Sequence, residues 1–594
     1  MKKLIYVVLV LVAGVLLSDQ AGAAEAETKP ARTIAHIALS GALPEGVGQS
    51  GVLADVSPRL HRIVERIDQA ASDPKVKGVV VSIASPDIGR GRMEEIVAAI
   101  GRVRKAGKPV AAHLVSGGPV PYCLAIACDT VSMPPAATLE ITGVRVEVTF
   151  FKAMLDTLGV DAEILQVGEF KGAGEPLTRT SMSPQLRAQY EEFVGDLYEQ
   201  LVERVAAARG LAMERARELV DIGVFTPEAA LEAGLIDAVA YEDEVISGLA
   251  SQVDINDPKV ARNYAAREVD NDFSGIGGMV KLLEMFSGGG KKSAKSRDKR
   301  VAIVHLTGEI REGKGSEGLL GGGQGGTDAV IKAIRQAAAD SSVAAIVLRI
   351  DSPGGSALAS DLIWREAERT HKPVVASLSD TAASGGYYVA VAADRIVAAP
   401  GTLTGSIGVV GGKIAVGEAL GKVGVHTDVV SKGRNAGWLS MQAPFTDHER
   451  EAFLGTMKDV YRLFTSKVAD GRHLDSEKLT TLAEGRVFTG RMAKELGLVD
   501  RLGTLDDAVD EARQLAGLAA DEKLERMLLP EPRGLFEDLF GQTGVEAAPV
   551  ARAAVLTFLT GLPGVEAFLE HVDALALVTA GRPLMMLPAR VRVR

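Results

Sequence analysis

Two apolar patterns alternate along this chain. Short, nearly continuous apolar runs such as "GVVVSI" (78–83) and "AIVLRI" (345–350) have the length and composition of strands buried on both faces. Between such runs, "RMEEIVAAIGRVRKAG" (92–107) and "SDLIWREAERTH" (360–371) carry apolar residues at helical spacing, with polar residues on the other face. Strands alternating with helices predict an α/β fold with mostly parallel sheets.

The whole pattern occurs twice. "TIAHIALSGAL" (33–43) returns as "RVAIVHLTGEI" (300–310), and "VKGVVVSIASPDIG" (76–89) as "VAAIVLRIDSPGGS" (343–356). "GKPVAAHLV" (107–115) returns as "HKPVVASLS" (371–379), and "VFTPEAALEAGLID" (224–237) as "VFTGRMAKELGLVD" (487–500). The offsets are 267, 267, 264 and 263, so the matches stay collinear over nearly the whole repeat. A period this long means tandem duplicated domains rather than a solenoid. The expected division is an N-terminal repeat at 31–250, a linker at 251–300, a C-terminal repeat at 301–515 and an extension at 516–594. "MFSGGGKKSAKSRDKR" (285–300) reads as a solvated tether, and "GGGQGG" (321–326) as a flexible loop at the mouth of a site. The extension is expected to lack a counterpart in the first repeat. Its "AAVLTFLTGL" (553–562) is too short to span a bilayer.

Composition and termini narrow the setting. The 594 residues are 47% hydrophobic with a formal charge of −11, a balance that argues against a nucleic-acid partner. Lys2 and Lys3, the apolar stretch Leu4–Leu17 and the small residues Ala21-Gly22-Ala23 make residues 1–24 a secretory signal peptide; a retained N-terminal anchor is the alternative. Either way the body is expected to be exported. Cys123 and Cys128, the two cysteines, are spaced for neither a metal site nor, within a helix, a disulfide. No metal and no cofactor is expected.

The chemistry is carried by what the repeats do not share. "SPGG" (352–355) faces "SPDI" (85–88) in the first copy. A Gly-Gly turn after a buried strand can aim backbone amides at a developing oxyanion. Ser384 of "AASGGYY" falls on Pro119 when Asp394 is aligned with Asp129. Lys171 of "FKGAGEP" faces Ala436 when Gly159 is aligned with Gly424. One copy therefore has a lysine without the serine, and the other a serine without the lysine. Taken singly, each has a plainer reading: a tight turn, a helix cap, a surface lysine. Together they fit one Ser-Lys dyad divided between two copies, with Gly354, Gly355 and Gly385 beside the serine as oxyanion donors. A buried lysine loses its preference for the charged form and can then act as the base. The covalent tether favours a dyad formed within one chain.

With "FKGAGEP" (170–176), "DSPGG" (351–355), "AASGGYY" (382–388) and "TLTGSIGV" (402–409), the chain resembles the long form of the signal peptide peptidase A (protease IV) family, the Ser-Lys peptidases of family S49. The resemblance covers roughly residues 30 to 515. It implies ClpP/crotonase-like domains, Lys171 as general base, Ser384 as nucleophile and Ser406 as the residue that orients the lysine. The first copy, "LEITGV" (139–144), lacks that serine. It further implies a homotetramer, membrane association, and apolar peptide substrates such as released signal peptides. The place would be the cell inner membrane facing the periplasm, or the periplasm itself if the N-terminal segment is cleaved. The alternatives are a crotonase-like enzyme acting on acyl thioesters and a non-catalytic scaffold.

Overall fold

The computed structural model describes residues 33–46, 59–255, 259–266, 299–313, 326–520, 522, 524–530 and 584–586. The signal segment, most of the tether, nearly all of "GGGQGG" and "AAVLTFLTGL" lie outside them. The first repeat's sheet and site are carried by β1 (Thr33–Ala42), α1 (Leu60–Ser72), β2 (Val76–Asp87), α2 (Arg90–Lys105), β3 (Val110–Ser116), α3 (Pro119–Ala125), β4 (Thr130–Met133), β5 (Asp161–Val167), α4 (Pro184–Arg209), β6 (Ala238–Val239) and β7 (Lys259–Ala261). Its sheet is parallel, in the order β6-β4-β3-β2-β1-β7. Val79, Val80, Val81 and Ile83 of β2 are all buried because both faces of the central strand are covered.

The second repeat follows the same path: β8 (Lys299–Thr307), α5 (Thr327–Ala339), β9 (Val343–Ser352), β10 (Gly354–Ser356), α6 (Ala357–Glu368), β11 (Val374–Ala383), α7 (Gly385–Ala390), β12 (Arg395–Ala398), β13 (Leu403–Gly405), β14 (Val409–Ala415), α8 (Asp447–Arg472), β15 (Val487–Thr489), β16 (Arg501–Leu502), α9 (Leu505–Leu515) and β17 (Leu524–Leu529). The sheet runs β15-β13-β11-β9-β8-β17, with β12 beside β11 and β16 beside β12. It is parallel except where β15 meets β13.

The repeats share individual bonds as well as topology. Asp129 accepts from the Val110 amide at 2.9 Å, and Asp394 from the Val374 amide at 2.8 Å. Arg209–Asp237 and Arg472–Asp500 both pair at 2.8 Å. Tyr122 donates to the Leu235 carbonyl at 2.7 Å, and Tyr387 to the Leu498 carbonyl at 2.8 Å. Cys123 and Cys128 are buried free thiols.

Each sheet runs one strand further than the sequence pattern indicates. β7 lies beside β1, inside the stretch read as linker, and β17 lies beside β8, inside the extension. The strand Leu524–Leu529 of the extension therefore has a counterpart in Lys259–Ala261. Both are edge strands, β7 is only three residues long, and neither needs the unbroken apolar run that marks a central strand.

Two helix contacts help dock the halves. Along one, α2 packs on β11: Asp380 accepts from the amides of Gly89 (3.0 Å) and Arg92 (2.8 Å) and pairs with the Arg92 guanidinium. Beside it, Arg349 of β9 is 1% exposed and pairs with Glu45 (2.5 Å) and Glu95 (3.0 Å) of the first repeat. Burial alone would raise the Glu45 carboxyl, but Arg349 pulls it down to about 2. Burial pushes Glu95 up to about 7 against the same pull. Along the other, α4 reaches β15 and the residues after it: Gln189 accepts from the Val487 amide at 3.1 Å, and Asp196 from Thr489 at 2.6 Å.

A third sheet, antiparallel throughout, joins the repeats directly, in the order β10-β18-β14-β5, where β18 is Leu584–Met586 near the C-terminus. β14 and β5 pair antiparallel from Val409↔Val167 to Ala415↔Asp161.

Removing Arg349 would strand two buried carboxyl groups at the junction. Arg349→Ala is expected to destabilise the docked halves by about 3–5 kcal/mol. Denaturant unfolding followed by tryptophan fluorescence measures this; an unchanged midpoint would show that the junction does not depend on the arginine.

Candidate active site

The strand-to-helix turn between β11 and α7 holds Ser384 at φ 56°, ψ −115°, a backbone conformation that costs a non-glycine residue free energy. Three bonds hold it there. The Ser384 amide donates to the Gly405 carbonyl at 2.8 Å, its carbonyl accepts from Tyr388 at 2.8 Å, and Thr404 of the next strand caps the Ala382 carbonyl at 2.6 Å. Ser384 stands at the N-cap position of α7, yet its hydroxyl makes no capping bond. Its hydroxyl instead lies 2.7 Å from the Lys171 amine, 213 residues earlier in the same chain.

Lys171 follows β5, which the antiparallel sheet carries to the second repeat. Its amine has two further partners, both on Ser406: the carbonyl oxygen and Oγ, each at 2.8 Å. All three partners are neutral oxygens. Lys171, Ser384 and Ser406 are each 0% exposed. Burial, with no opposing charge to offset it, pushes the Lys171 amine well below its ordinary range. Ser406 is held in turn at φ 54°, its amide donating to the Arg486 carbonyl at 2.6 Å.

The three glycines gather beside Ser384. A Cβ on Gly354 (φ +102°) would stand 2.8 Å from the Gly385 nitrogen, and one on Gly385 would stand 3.2 Å from the Gly355 nitrogen. The Gly354 amide donates to Ser352 Oγ at 3.2 Å. The Gly354 amide is thus engaged by Ser352, and its missing side chain leaves room beside the amides of Gly355 and Gly385.

One part of the site escaped the sequence reading. Residues 484–486 of the second repeat clamp the lysine's backbone: the Glu484 carbonyl accepts from the Phe170 amide at 2.7 Å, and the Arg486 guanidinium lies 3.7 Å over the Phe170 ring. Gly485 (φ +84°) lies so close that a Cβ would come within 2.6 Å of the Lys171 nitrogen. The signal was present as another difference between copies, since at an offset of 263 Gly485 faces Ile222.

A profile of peptidase family S49 matches residues 102–256 and again 366–519. The chain is 32% identical over 534 residues to "Serine protease SPPA, chloroplastic" of Arabidopsis thaliana, covering 89% of this chain and 76% of that one. It is 33% identical over 471 residues to "Protease 4" of Salmonella typhi, covering 77% and 72%. Among solved structures, a ClpP1 variant from Listeria monocytogenes aligns at 16% identity with a TM-score of 0.24, over 39% of this chain and 98% of its own.

Gly485→Ala is expected to push Lys171 away from Ser384 while leaving both residues unsubstituted. A misplacement on the scale of an ångström lowers reactivity by about 100-fold. The rate of Ser384 labelling by a fluorophosphonate measures it, with Gly455→Ala, where a Cβ meets open space, as the control. Equal rates in the two variants would show that the 484–486 clamp does not position the lysine.

Proposed function

Because the chain belongs to peptidase family S49 and is a serine peptidase, we propose that it works through a Ser-Lys dyad, with Ser384 as nucleophile and Lys171 as general base. The observation that carries this is a fully buried amine with no carboxylate partner, 2.7 Å from the serine oxygen. Family membership decides against the acyl-thioester and scaffold alternatives.

A neutral amine has two N–H bonds and one lone pair. Its two donors match the Ser406 carbonyl and hydroxyl oxygens, and its lone pair is left to accept the Ser384 proton. As Ser384 Oγ bonds to the substrate carbonyl carbon, its proton passes to Lys171 Nζ, and the carbonyl oxygen becomes an oxyanion facing the amides of Gly355 and Gly385. The resulting ammonium, ill-solvated in its pocket, gives its proton to the leaving amine as the peptide C–N bond breaks. Water then attacks the acyl-serine, with Lys171 taking its proton and returning it to Ser384. Ser406 acts through the lysine, so it is a positioning residue.

The substrates in this reading are apolar peptides, released signal peptides among them, cleaved at the outer face of the cytoplasmic membrane. What supports export is the pattern of residues 1–24; among the described residues, no helix is long and apolar enough to cross a membrane.

Assembly follows from the duplication. Within the chain, β14 of the second repeat pairs with β5 of the first. At the offset of 265 that aligns Gly159 with Gly424, the equivalents are residues 144–150 and 426–432, and neither belongs to a strand. Residues 144–150 alternate half-buried and exposed, like a strand with a free edge, and Val429 and Val430 are exposed, at 65% and 101%. Pairing 144–150 of one chain with 426–432 of the next repeats the internal contact head to tail. A head-to-tail contact closes into a ring when its rotation divides a full turn, and the ring in this reading is the homotetramer that the family likeness implies.

Three measurements test this reading. Ser384→Ala and Lys171→Ala should each abolish peptidase activity, and the double variant should be no worse than either, because dyad members act as a unit. Lys171→Arg should also be inactive, since a guanidinium stays protonated; additive losses would reduce Lys171 to structural support. The rate should rise with pH as the lysine loses its proton, with a midpoint well below the ordinary lysine value of about 10.4, and a flat profile would count against a lysine base. Val430→Asp should dissociate the oligomer in sedimentation equilibrium while Val430→Thr does not; an intact oligomer in both would move the interface elsewhere.

A further inference from the structure

The slot between β10 and β14 is the place where an extended peptide would meet the dyad, and in this structure it is filled. β18 (Leu584–Met586) enters as an antiparallel strand, with Ser356 opposite Leu584, Gly355 opposite Met585 and Gly354 opposite Met586. On its other side Leu584 faces Val410 of β14. Leu584 and Met585 are 2% and 0% exposed. The Leu584 side chain packs with Val410 and with Ile164 and Ala173, which flank Lys171 in the first repeat. This apolar pocket is therefore built by both repeats.

The backbone fit points directly at the chemistry. A Cβ on Gly354 would lie 2.0 Å from the Met585 carbonyl oxygen and 2.8 Å from the Gly385 nitrogen. The missing side chain leaves one small space, bordered by that carbonyl on one side and a candidate oxyanion donor on the other. The Met585 carbonyl thus stands where the carbonyl of a bound peptide would stand. The same strand helps explain why Ser384 has no exposed surface.

Resting on the dyad reading, we propose that residues 584–586 occupy the peptide slot as a substrate mimic, so that the chain's own C-terminal segment restrains the site. A substrate must displace this strand. The slot accepts peptides by strand addition, with main-chain bonds supplying affinity and the Ile164–Ala173–Val410 pocket selecting an aliphatic side chain.

The test uses full-length chains whose intact C-terminus is verified by mass. Leu584→Asp places a charge in the apolar pocket, and Met585→Pro removes a ladder amide; neither residue takes part in the chemistry. Both variants should label at Ser384 with a small fluorophosphonate about tenfold faster than the parent, because the competent, open fraction rises. The KM for an apolar peptide ester should fall by a similar factor with kcat unchanged. A synthetic peptide of residues 580–590 should inhibit Leu584→Asp competitively, and the same peptide with aspartate at position 584 should not. Equal labelling rates in all chains, or no difference between the two peptides, would overturn the restraint and leave the dyad standing. Absence of Ser384 labelling in every chain, variants included, would overturn the dyad and this inference with it.

Discussion

An amine cannot be buried cheaply, and this site depends on burying one. Taking an ammonium out of water without a counter-charge costs several kcal/mol, and burial pushes the Lys171 amine well below its ordinary range. The enclosure that achieves this comes from both repeats. β5 brings the lysine, the residues after β13 bring Ser406, and residues 484–486 close over the lysine's backbone. If the halves part, water reaches the amine and it becomes an ordinary charged lysine. In the dyad reading, the burial of the junction, with Arg349 between Glu45 and Glu95, is a condition of the chemistry as well as of the fold.

The duplication separates what the fold needs from what the site needs. The bonds of Asp129 and Asp394, of Arg209 and Arg472, and of Tyr122 and Tyr387 are present in both repeats because each sheet must be pinned in the same way. Ser384, Ser406, the Gly354–Gly355 pair and Gly485 occur only in the second repeat, and Lys171 only in the first. The same internal symmetry leaves residues 144–150 and 426–432 without the strand pairing that their equivalents enjoy.

Parallel sheets, two similar units and a serine and lysine set apart from their counterparts were all legible in the sequence, for a physical reason. Central strands need unbroken apolar runs, and a duplicated chain carries its own reference copy against which a changed residue stands out. Edge strands carry no such signature, so β7 and β17 emerge only in the fold. The 2.7 Å approach of Lys171 to Ser384, the loss of the Gly354 amide to Ser352, the clamp at Gly485 and the seating of Leu584–Met586 beside Gly354 depend on which backbones meet. Such meetings join residues hundreds of positions apart, and only the packed tertiary structure decides them.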